Sequence, residues 1–315
     1  MGSSTYSADV HVARAATRAA TGTPTFIHTA AVASGAVAAS LHPSLDIRGK
    51  DRESRDSAAH PRSKSIVVMF DHTGSMGQVP VIMQQKLPGL MAMLVGKNYC
   101  EHPQVLFGAI GDCFDNTVAP LQVGQFESET TLLDKWLTSL YLEGNGGGQQ
   151  MESYLLSWLF GARHCSIDCF EKRSIKGFLF TIGDEWTHET IQPEFVEKVM
   201  GYRPSEPLTA KGLLAEASRM WHVFHVHAND GGYRNNTSII NSWRDLLGER
   251  LIVVEDHTTI IETIATTIAV VHGADLKAVT ADFDSRTAAL VAKSVGNIAS
   301  AVATVNKSAG GIVKL

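Results

Sequence analysis

Three oxygen-bearing side chains stand at alternate positions directly after an apolar run in this chain. The run occupies residues 65–70, and the side chains that follow it are Asp71, Thr73 and Ser75. One carboxylate beside two hydroxyls offers little negative charge and several neutral oxygens, a ligand set that hard divalent cations such as Mg²⁺ prefer. The same residue types are common in turns after any strand. The segment is therefore either a cation site or an ordinary strand-to-helix loop.

Two later segments carry oxygen ligands of the same kind. Residues 144–150 are glycine-rich and end in two glutamines, and residues 178–185 form an apolar run that ends in two acids. A glutamine carbonyl can bind Mg²⁺ or Ca²⁺ directly, or hold a water in the same place. We predict one metal site from these segments. Its predicted ligands are Asp71, Thr73, Ser75 and Asp184, with Gln150 as a further ligand and Asp112 close behind them.

The order of these segments resembles the von Willebrand factor A family and its metal-ion-dependent adhesion site. That site begins with Asp-x-Ser-x-Ser or Asp-x-Thr-x-Ser, which is matched here by Asp71, Thr73 and Ser75. The family then has a glycine-rich loop with a threonine ligand, and a second carboxylate at the end of a later strand. This chain differs at two points. Glutamines stand at 149 and 150 where threonine is usual, and the family's Thr-Asp-Gly is Thr-Ile-Gly-Asp-Glu over residues 181–185.

The resemblance implies a protein-interaction module that holds Mg²⁺, or Mn²⁺ or Ca²⁺. A cation with few negative ligands keeps an open position, and an aspartate or glutamate of a partner protein would fill it. Intracellular bacterial relatives often work beside AAA-type ATPases, so the resemblance also implies an adaptor or assembly component with such a partner. Two alternatives stay open. One is a metal-dependent phosphoester hydrolase, and the other is a metal-free structural component of a larger assembly.

Sequence motifs favour binding over catalysis. Thr73 stands where an Asp-x-Asp phosphatase loop has its second acid, and the glycine-rich segment lacks the Gly-Lys-Ser/Thr ending of a phosphate-binding loop. His72 is either a base beside the site or an exposed loop histidine. His222 and His225 lie three residues apart on a predicted strand, which places them on opposite faces and makes them poor joint ligands. We therefore predict that the protein is not an enzyme.

Composition narrows the class of protein further. The chain has 315 residues, of which 44% are hydrophobic and 19% charged, enough for one large core. Its formal net charge is −5 and it has no basic block, which argues against nucleic-acid binding. The four cysteines show no disulfide spacing, which indicates a reducing compartment and predicts a cytoplasmic protein. No apolar segment is long enough to cross a membrane.

Apolar patterns predict alternating strands and helices over most of the chain. Strands are predicted at residues 66–70, 105–110, 177–181, 221–226 and 251–254, with a half-exposed antiparallel edge strand at 121–126; helices are predicted at 79–94, 151–159, 213–220, 242–247 and 260–268. This alternation predicts an α/β fold, with a doubly wound, mostly parallel sheet flanked by helices. In such sheets ligands bind at the carboxyl ends of the strands. Asp71, Asp112 and Asp184 all follow predicted strands, so we expect them to converge.

Composition also divides the chain into four parts. Residues 1–45 are predicted to form an N-terminal arm, flexible or bound to a partner. Residues 46–64 form a charged lead-in, either a solvated linker or a salt-bridged segment. Residues 65–275 form the von Willebrand factor A-like domain, and residues 276–315 a helical tail. In the tail, Val291, Val295, Ile298, Val302 and Val305 repeat at spacings of four and three. That repeat predicts a helix that packs on its own domain, or associates with a second copy or a partner.

Overall fold

The computed structural model describes residues 6–115, 117–144 and 150–308, with side chains up to residue 304 in the last helix. The strands in the described residues are β1 (Arg52–Ser54), β2 (Ser63–Asp71), β3 (His102–Ile110), β4 (Leu121–Val123), β5 (Met151–Glu152), β6 (Cys165–Ile167), β7 (Gly177–Gly183), β8 (Trp186–Thr187), β9 (Thr190–Ile191), β10 (Leu208–Thr209), β11 (Trp221–Ala228) and β12 (Leu251–Val254). The helices are α1 (Ala8–Thr21), α2 (Ile27–Ala33), α3 (Val79–Met91), α4 (Thr130–Thr138), α5 (Leu155–Arg163), α6 (Asp168–Glu171), α7 (Pro193–Met200), α8 (Ala210–Ala217), α9 (Thr237–Leu247), α10 (Ile260–Val271), α11 (Leu276–Thr280) and α12 (Ser285–Ser308).

A central sheet organises the described residues. Its six strands lie in the order β12-β11-β7-β2-β3-β4, and only the pair of β3 with β4 is antiparallel. β2 is buried along its whole length between β7 and β3. A strand of this kind is a continuous apolar run because helices cover both faces of a parallel sheet. The predicted α/β fold class with a mostly parallel sheet is confirmed.

Side chains of β2 show how the two layers form. Ile66, Val68 and Phe70 pack in one hydrophobic cluster, together with residues of α3, α4, α10 and α12. Val67 and Met69 point to the other face and pack with α5, α7, α8 and α9. Successive side chains of a strand alternate between faces, so one apolar run supplies both cores. This double burial fixes the carboxyl end of β2 in the middle of the sheet edge.

Three elements differ from the sequence predictions. β4 is fully buried rather than half-exposed, because the side chain of Gln122 bonds both backbone groups of Tyr141 (2.7 and 2.8 Å). The helix predicted from residue 151 begins only at Leu155, and residues 151–152 form β5, which pairs with β8. The helix predicted over 79–94 runs through Pro88 and ends in a π-helical turn at Ala92–Gly96.

The N-terminal residues from Tyr6 onward fold against the sheet layers. Arg14 and Arg18 of α1 pair with the buried Asp134 of α4, at 2.8 and 2.7 Å. In the charged lead-in, Arg55 pairs with Asp168 and β1 pairs with β6. The four-part division of the chain stays a prediction, but these contacts join the arm and the lead-in to the domain.

The last helix packs on the domain that precedes it. The repeat residues Val291, Val295, Ile298 and Val302 are buried in the same hydrophobic cluster as α10. The side chain of Val305 lies outside the described residues. Association of this helix with a second copy stays a prediction. In the described part of the chain, no helix combines the length and the apolar character needed to cross a bilayer.

Candidate metal centre

The loop after β2 gathers three predicted ligands around one carboxylate. Asp71 is the last residue of β2, and the backbone amide and hydroxyl of Thr73 both donate to its Oδ1 atom at 2.7 Å. The hydroxyl of Ser75 lies 3.4 Å from that of Thr73. The loop packs closely at Gly74, where a Cβ would lie 3.0 Å from the carbonyl oxygen of Gly144.

Asp184 reaches the same loop from the end of β7. The hydroxyl of Ser75 donates to its Oδ1 atom at 2.8 Å. Side-chain oxygens of Asp71, Thr73, Ser75 and Asp184 therefore form a continuous chain between the ends of β2 and β7. The two strands are parallel neighbours, and the carboxyl ends of parallel strands meet at one edge of a sheet. The structure thus brings these four predicted ligands together.

Tyr154 and two glycines complete the walls of this site. The hydroxyl of Tyr154 donates to Asp71 Oδ2 at 3.2 Å. A Cβ on Gly183 would lie 1.7 Å from that hydroxyl, so any larger residue would displace the tyrosine. A Cβ on Gly231 would lie 2.5 Å from Asp184 Oδ2. Glycine at both positions lets backbone approach the carboxylates closely.

Asp112 lies after β3 and is anchored through one of its two oxygens. Its Oδ1 atom accepts from the hydroxyl of Ser153 at 2.9 Å, from His188 Nε2 at 2.8 Å and from the backbone amide of Phe114 at 3.1 Å. The ring of Phe114 lies 4.2 Å from the ring of His188 and holds it in place. The sequence did not indicate His188 or Ser153. The second oxygen of Asp112 is buried and has no hydrogen bond.

Glu152 is the acid of this site that the sequence analysis missed. It lies in β5, and the pairing of β5 with β8 brings it beside the segment that starts at Glu185. Backbone bonds from Trp186 to Gln150 (3.3 Å) and from His188 to Glu152 (3.4 Å) fix this pairing. Its position next to the glycine-rich loop was the available signal, but the helical spacing of nearby apolar residues placed it on a helix.

The acidic rim, as we name this group, consists of Asp71, Asp112, Glu152, Asp184 and Glu185. All five are 0–5% exposed. Each of Asp112, Glu152, Asp184 and Glu185 has one buried oxygen without a hydrogen bond. Among the described residues, none of the five carboxylates is in an ion pair with a lysine or arginine. The amides of Gly232 and Tyr233 face Asp184 but do not bond its Oδ2 atom with normal geometry.

Burial and mutual repulsion raise the pKa of four acids of the rim, Asp71, Glu152, Asp184 and Glu185. Burial, and after it the charges of Asp71 and Asp184, raise the pKa of Glu185 to about 8. Burial raises the pKa of Asp71 even though Thr73 donates two hydrogen bonds to it. Burial and the charges of Asp71 and Glu185 raise the pKa of Glu152 strongly. An uncompensated cluster of buried acids behaves in this way, and an added cation would reverse it.

Three further residues singled out by the sequence are Gln149, Gln150 and His72. Gln150 is exposed, and its backbone carbonyl accepts a hydrogen bond from the amide of Trp186 at 3.3 Å. Gln149 lies outside the described residues. His72 is buried, not an exposed loop histidine, and its Nε2 atom lies 3.2 Å from the carbonyl of Ala119. Burial lowers the pKa of His72, so it stays neutral. It supports the loop by its packing.

A separate acidic cluster lies on the surface nearby. Asp230, Asp256 and His257 place one possible ligand atom each within 4.8 Å of one another. Protein groups already satisfy it in part, because His257 bonds Asp230 at 2.7 Å and Arg286 bonds Asp256 at 2.6 Å. Glu255, the other acid at this end of β12, pairs with Lys293 at 3.2 Å. This cluster therefore differs from the rim, where the described residues supply one histidine contact, from His188 to Asp112 at 2.8 Å, and no lysine or arginine.

The rim fits a hard divalent cation. Its donors are carboxylates and hydroxyls, the oxygen ligands that Mg²⁺, Mn²⁺ and Ca²⁺ take in proteins. Unsatisfied buried oxygens are rare in folded proteins because each costs free energy. The one on Asp184 is accounted for if a cation is its partner. The residues that would hold it are Asp71, Thr73, Ser75 and Asp184.

Comparisons with known proteins found distant likeness in structure only. No protein-family model matches the chain, and no curated protein matches it. The pilus adhesin SpaC from Lactobacillus rhamnosus GG, in an open conformation, matches with a TM-score of 0.43 and 8% identity, over 71% of this chain and 31% of the adhesin. Proximal thread matrix protein 1 from the mussel byssus matches with a TM-score of 0.39 and 10% identity, over 71% and 46% of the two chains.

Another structure of the mussel protein matches with a TM-score of 0.38. Its metal-ion-dependent adhesion site, abbreviated MIDAS, is occupied by zinc. This chain thus spans less than half the length of either protein. At these scores and identities the likeness adds nothing to the fold that the sheet itself shows. The interpretation of the site depends on its own residues.

Proposed function

We propose that the protein is an interaction module of the von Willebrand factor A type, which binds a partner protein through a divalent cation at the acidic rim. The observation that supports this most is the chain of oxygens from Asp71 through Thr73 and Ser75 to Asp184, with an unsatisfied oxygen on Asp184. A Mg²⁺ ion held there would offer an open position to a carboxylate oxygen of the partner.

The chain's own residues define what such a partner must provide. Asp71 and Asp184 are held by backbone and hydroxyl donors from Thr73 and Ser75, so their positions are set before any ion arrives. Ser75 is partly exposed whereas Asp71 is fully buried. The site therefore opens on the side of the loop after β2. An acidic side chain presented to that opening is the ligand that fits its chemistry.

Calorimetric titration tests the metal part of this proposal. Metal-stripped protein is titrated with Mg²⁺, Mn²⁺ and Ca²⁺, beside Asp71→Ala and the exposed control Glu189→Gln. We expect saturable binding to the wild type and the control, and none of that binding in Asp71→Ala. Equal binding by all three proteins would contradict the proposal.

Peptide binding tests the partner part. An array of peptides that contain aspartate or glutamate is probed with the protein in Mg²⁺ and again in EDTA, with each acid changed to its amide as the control. Retention that needs both the metal and the acid supports the module. Retention that ignores EDTA would favour the metal-free structural component. Turnover of a phosphoester that Asp71→Ala abolishes would favour the hydrolase instead.

The partner and the compartment remain proposals that the sequence alone motivates. We retain an AAA-type ATPase as one partner to test, and a cytoplasmic location. Co-purification of the tagged chain in Mg²⁺ and in EDTA, followed by mass spectrometry, tests both. An ATPase that is retained only with Mg²⁺ would support the first, and an exclusively extracytoplasmic pool would contradict the second.

A further inference from the structure

A buried lysine lies at the opposite end of β2 from the acidic rim. Lys64 is the second residue of this strand and Asp71 the last, which separates them by roughly 23 Å at about 3.3 Å per residue. Lys64 is only 7% exposed. Lysine is almost never buried to this extent unless its charge is paired. The ammonium group of Lys64 therefore needs a negative partner.

The described residues give this ammonium group no such partner. Its Nζ atom donates to the backbone carbonyl of Lys176 at 2.7 Å and lies 5.1 Å from the centre of the Phe178 ring. An ammonium group has three donors, so these two contacts leave at least one N–H group for another acceptor. Burial lowers the pKa of Lys64, as expected for a cation that is removed from water.

Two acids of this region already have arginine partners. Asp56 pairs with Arg173 at 2.6 Å, and Glu101 pairs with Arg62 at 3.1 Å. In the second pair both side chains are more than half exposed to solvent. Among the described residues, Lys64 is in no ion pair with either acid or with any other. The negative partner of Lys64 is therefore expected from outside the chain.

A cavity of about 530 Å³ lies beside Lys64, within the range of about 300 to 1,000 Å³ that is usual for small-molecule sites. Burial raises the pKa of the Cys100 thiol to about 12, so this group carries no charge near neutral pH. Arg173 uses two of its five N–H groups, on Asp56 and on the carbonyl of Ser63, and has donors to spare. The charged and sulfur-bearing residues that line the cavity are Arg62, Lys64, Cys100, Glu101, Cys169 and Arg173.

We propose that this cavity binds a small oxyanion, a phosphate or carboxylate group, through Lys64 and Arg173. Lysine binds such groups as a point charge, and the guanidinium fork of arginine adds directed hydrogen bonds. The charge of Arg173 contributes to the lowered pKa of Lys64, so the two cations lie close enough to repel each other. An oxyanion bound to both would remove that repulsion. The site lies at the amino end of the sheet and needs no metal, so it is independent of the proposed function.

Arg250 is the competing place for a bound anion. It is half-buried, and it donates to the carbonyl of Leu247 at 3.3 Å and to the hydroxyl of Ser218 at 3.1 Å. It is in no ion pair within the described part of the chain. It lines a different cavity, of about 590 Å³. Arg250→Met is therefore the matched control for variants of Lys64.

Calorimetric titration of the full chain with inorganic phosphate, and separately with acetate, tests the proposal. The protein is kept in EDTA, with sodium chloride holding the ionic strength constant. We expect saturable binding of at least one of the two anions to the wild type, and their relative affinities identify the group that the cavity prefers. Lys64→Met should weaken that binding at least about tenfold, the scale for a lost charge-assisted hydrogen bond. Lys64→Arg should keep it.

The controls are Arg250→Met and Lys277→Met, which removes an exposed lysine far along the chain. Both should bind the anion as the wild type does. Arg173→Gln takes the place of Lys64→Met if circular dichroism shows that the latter is not folded. Binding that Lys64→Met retains in full, binding that only Arg250→Met loses, or no saturable binding of either anion would each overturn the proposal.

Stability without the anion separates this role from a structural one. Methionine has a length similar to that of lysine, and replacing a buried charge by an apolar side chain of similar volume is often neutral or stabilising. Lys64→Met should therefore be at least as stable as the wild type in urea. Added phosphate should then raise the Tm of the wild type more than that of Lys64→Met, because general salt stabilisation acts on both. A destabilised Lys64→Met beside equal rises of Tm would show that Lys64 only supports the fold, through the carbonyl of Lys176.

Discussion

Buried acids occur in two regions of this molecule with opposite surroundings. Asp134 on α4 is fully buried, and Arg14, Arg18 and Gln84 all bond it. Burial alone would raise its pKa, but the two guanidinium groups outweigh burial and the pKa lies below its ordinary value. At the acidic rim, burial acts without such partners, and the pKa of Glu185 rises to about 8.

The contrast separates acids that are paired within the fold from acids that the proposed function would pair with a cation. Asp168 follows the first pattern, since Arg55 and Lys172 pair with it and its pKa is lowered. A protein that can supply arginines to one buried acid can supply them to another. The rim lacks them in the described residues, and a group of buried, unpaired acids is tolerated where function requires it. Positive charge is therefore expected to come from outside the chain.

Removing the partner of Asp134 should have the largest effect on stability. Arg18→Met keeps most of the side-chain volume but leaves the buried carboxylate with Arg14 alone. We expect a loss of about 3 kcal/mol in the free energy of unfolding, the scale for a broken buried pair. Urea denaturation measures it. The control Arg286→Met removes an arginine that is 77% exposed and should cost under about 1 kcal/mol. Equal losses of unfolding free energy in both variants would show that the buried pair at Asp134 contributes no more to stability than an exposed pair.

Adding Mg²⁺ should have the next largest effect, and only through the rim. Binding to the folded state at a free concentration of about one hundred times the Kd stabilises it by about 2.7 kcal/mol. Thermal denaturation in Mg²⁺ and in EDTA measures the difference. Arg18→Met should gain as much as the wild type, because its defect lies elsewhere. Asp71→Asn should gain nothing, and a full gain in that variant would place the ion outside the rim.

The sequence predicted much of the acidic rim, but it did not predict the Asp134 region. Asp71, Asp112 and Asp184 follow strands of a parallel sheet, and the apolar runs before them identify those strands from local pattern. Glu152 could not be predicted in this way. Its place depends on the pairing of β5 with β8, a contact between distant segments, while nearby apolar residues at helical spacing indicated a helix.

The Asp134 region was missed for a related reason. Residues 8–21 are rich in alanine and contain no leucine, isoleucine or aromatic residue other than histidine, so no pattern predicted α1 or its docking. What orders it is the pairing of Arg14 and Arg18 with an acid 120 and 116 residues away. His72 likewise became buried because the segment with Ala119 covers it. Local pattern predicts elements, whereas long-range polar contacts decide which charges end up buried.

The stability of metal-free protein should fall as the pH rises through the range where the rim ionises. An unfolded chain loses a glutamic acid proton near pH 4.5, whereas folded Glu185 keeps its proton to about pH 8. Between these values the folded state binds more protons, so a rise in pH destabilises it. We expect a loss of somewhat under about 1 kcal/mol between about pH 7.5 and about pH 8.5, since one group contributes at most roughly 1.4 kcal/mol per unit and Glu185 loses its proton across this range.

Buried histidines set the lowest pH at which that experiment reports on the rim. Burial lowers the pKa of His222 to about 3 and that of His227 to about 4. The unfolded chain therefore takes up their protons first, and stability is lost as the pH falls below about 6.5. The unfolded chain loses these protons around pH 6.5, so from about one pH unit higher the histidines are neutral in both states and contribute nothing. Denaturation in EDTA measures the slope, and saturating Mg²⁺ should flatten it. A slope that Mg²⁺ leaves unchanged would assign the effect to other groups.

The smallest effect should come from Glu152→Gln in metal-free protein, measured beside Asp134→Asn. Both variants change a buried carboxyl group to the amide of the same shape. Asp134 is ionised and paired, so the amide leaves two guanidinium groups without their acceptor and should cost about 2 kcal/mol or more. Burial and neighbouring charges raise the pKa of Glu152 so far that it is already neutral near pH 7. An amide then replaces an uncharged acid, and the change should stay within about 0.5 kcal/mol. If urea denaturation in EDTA gave equal losses for the two variants, Glu152 would be charged and compensated within the chain, and the rim would need no external cation.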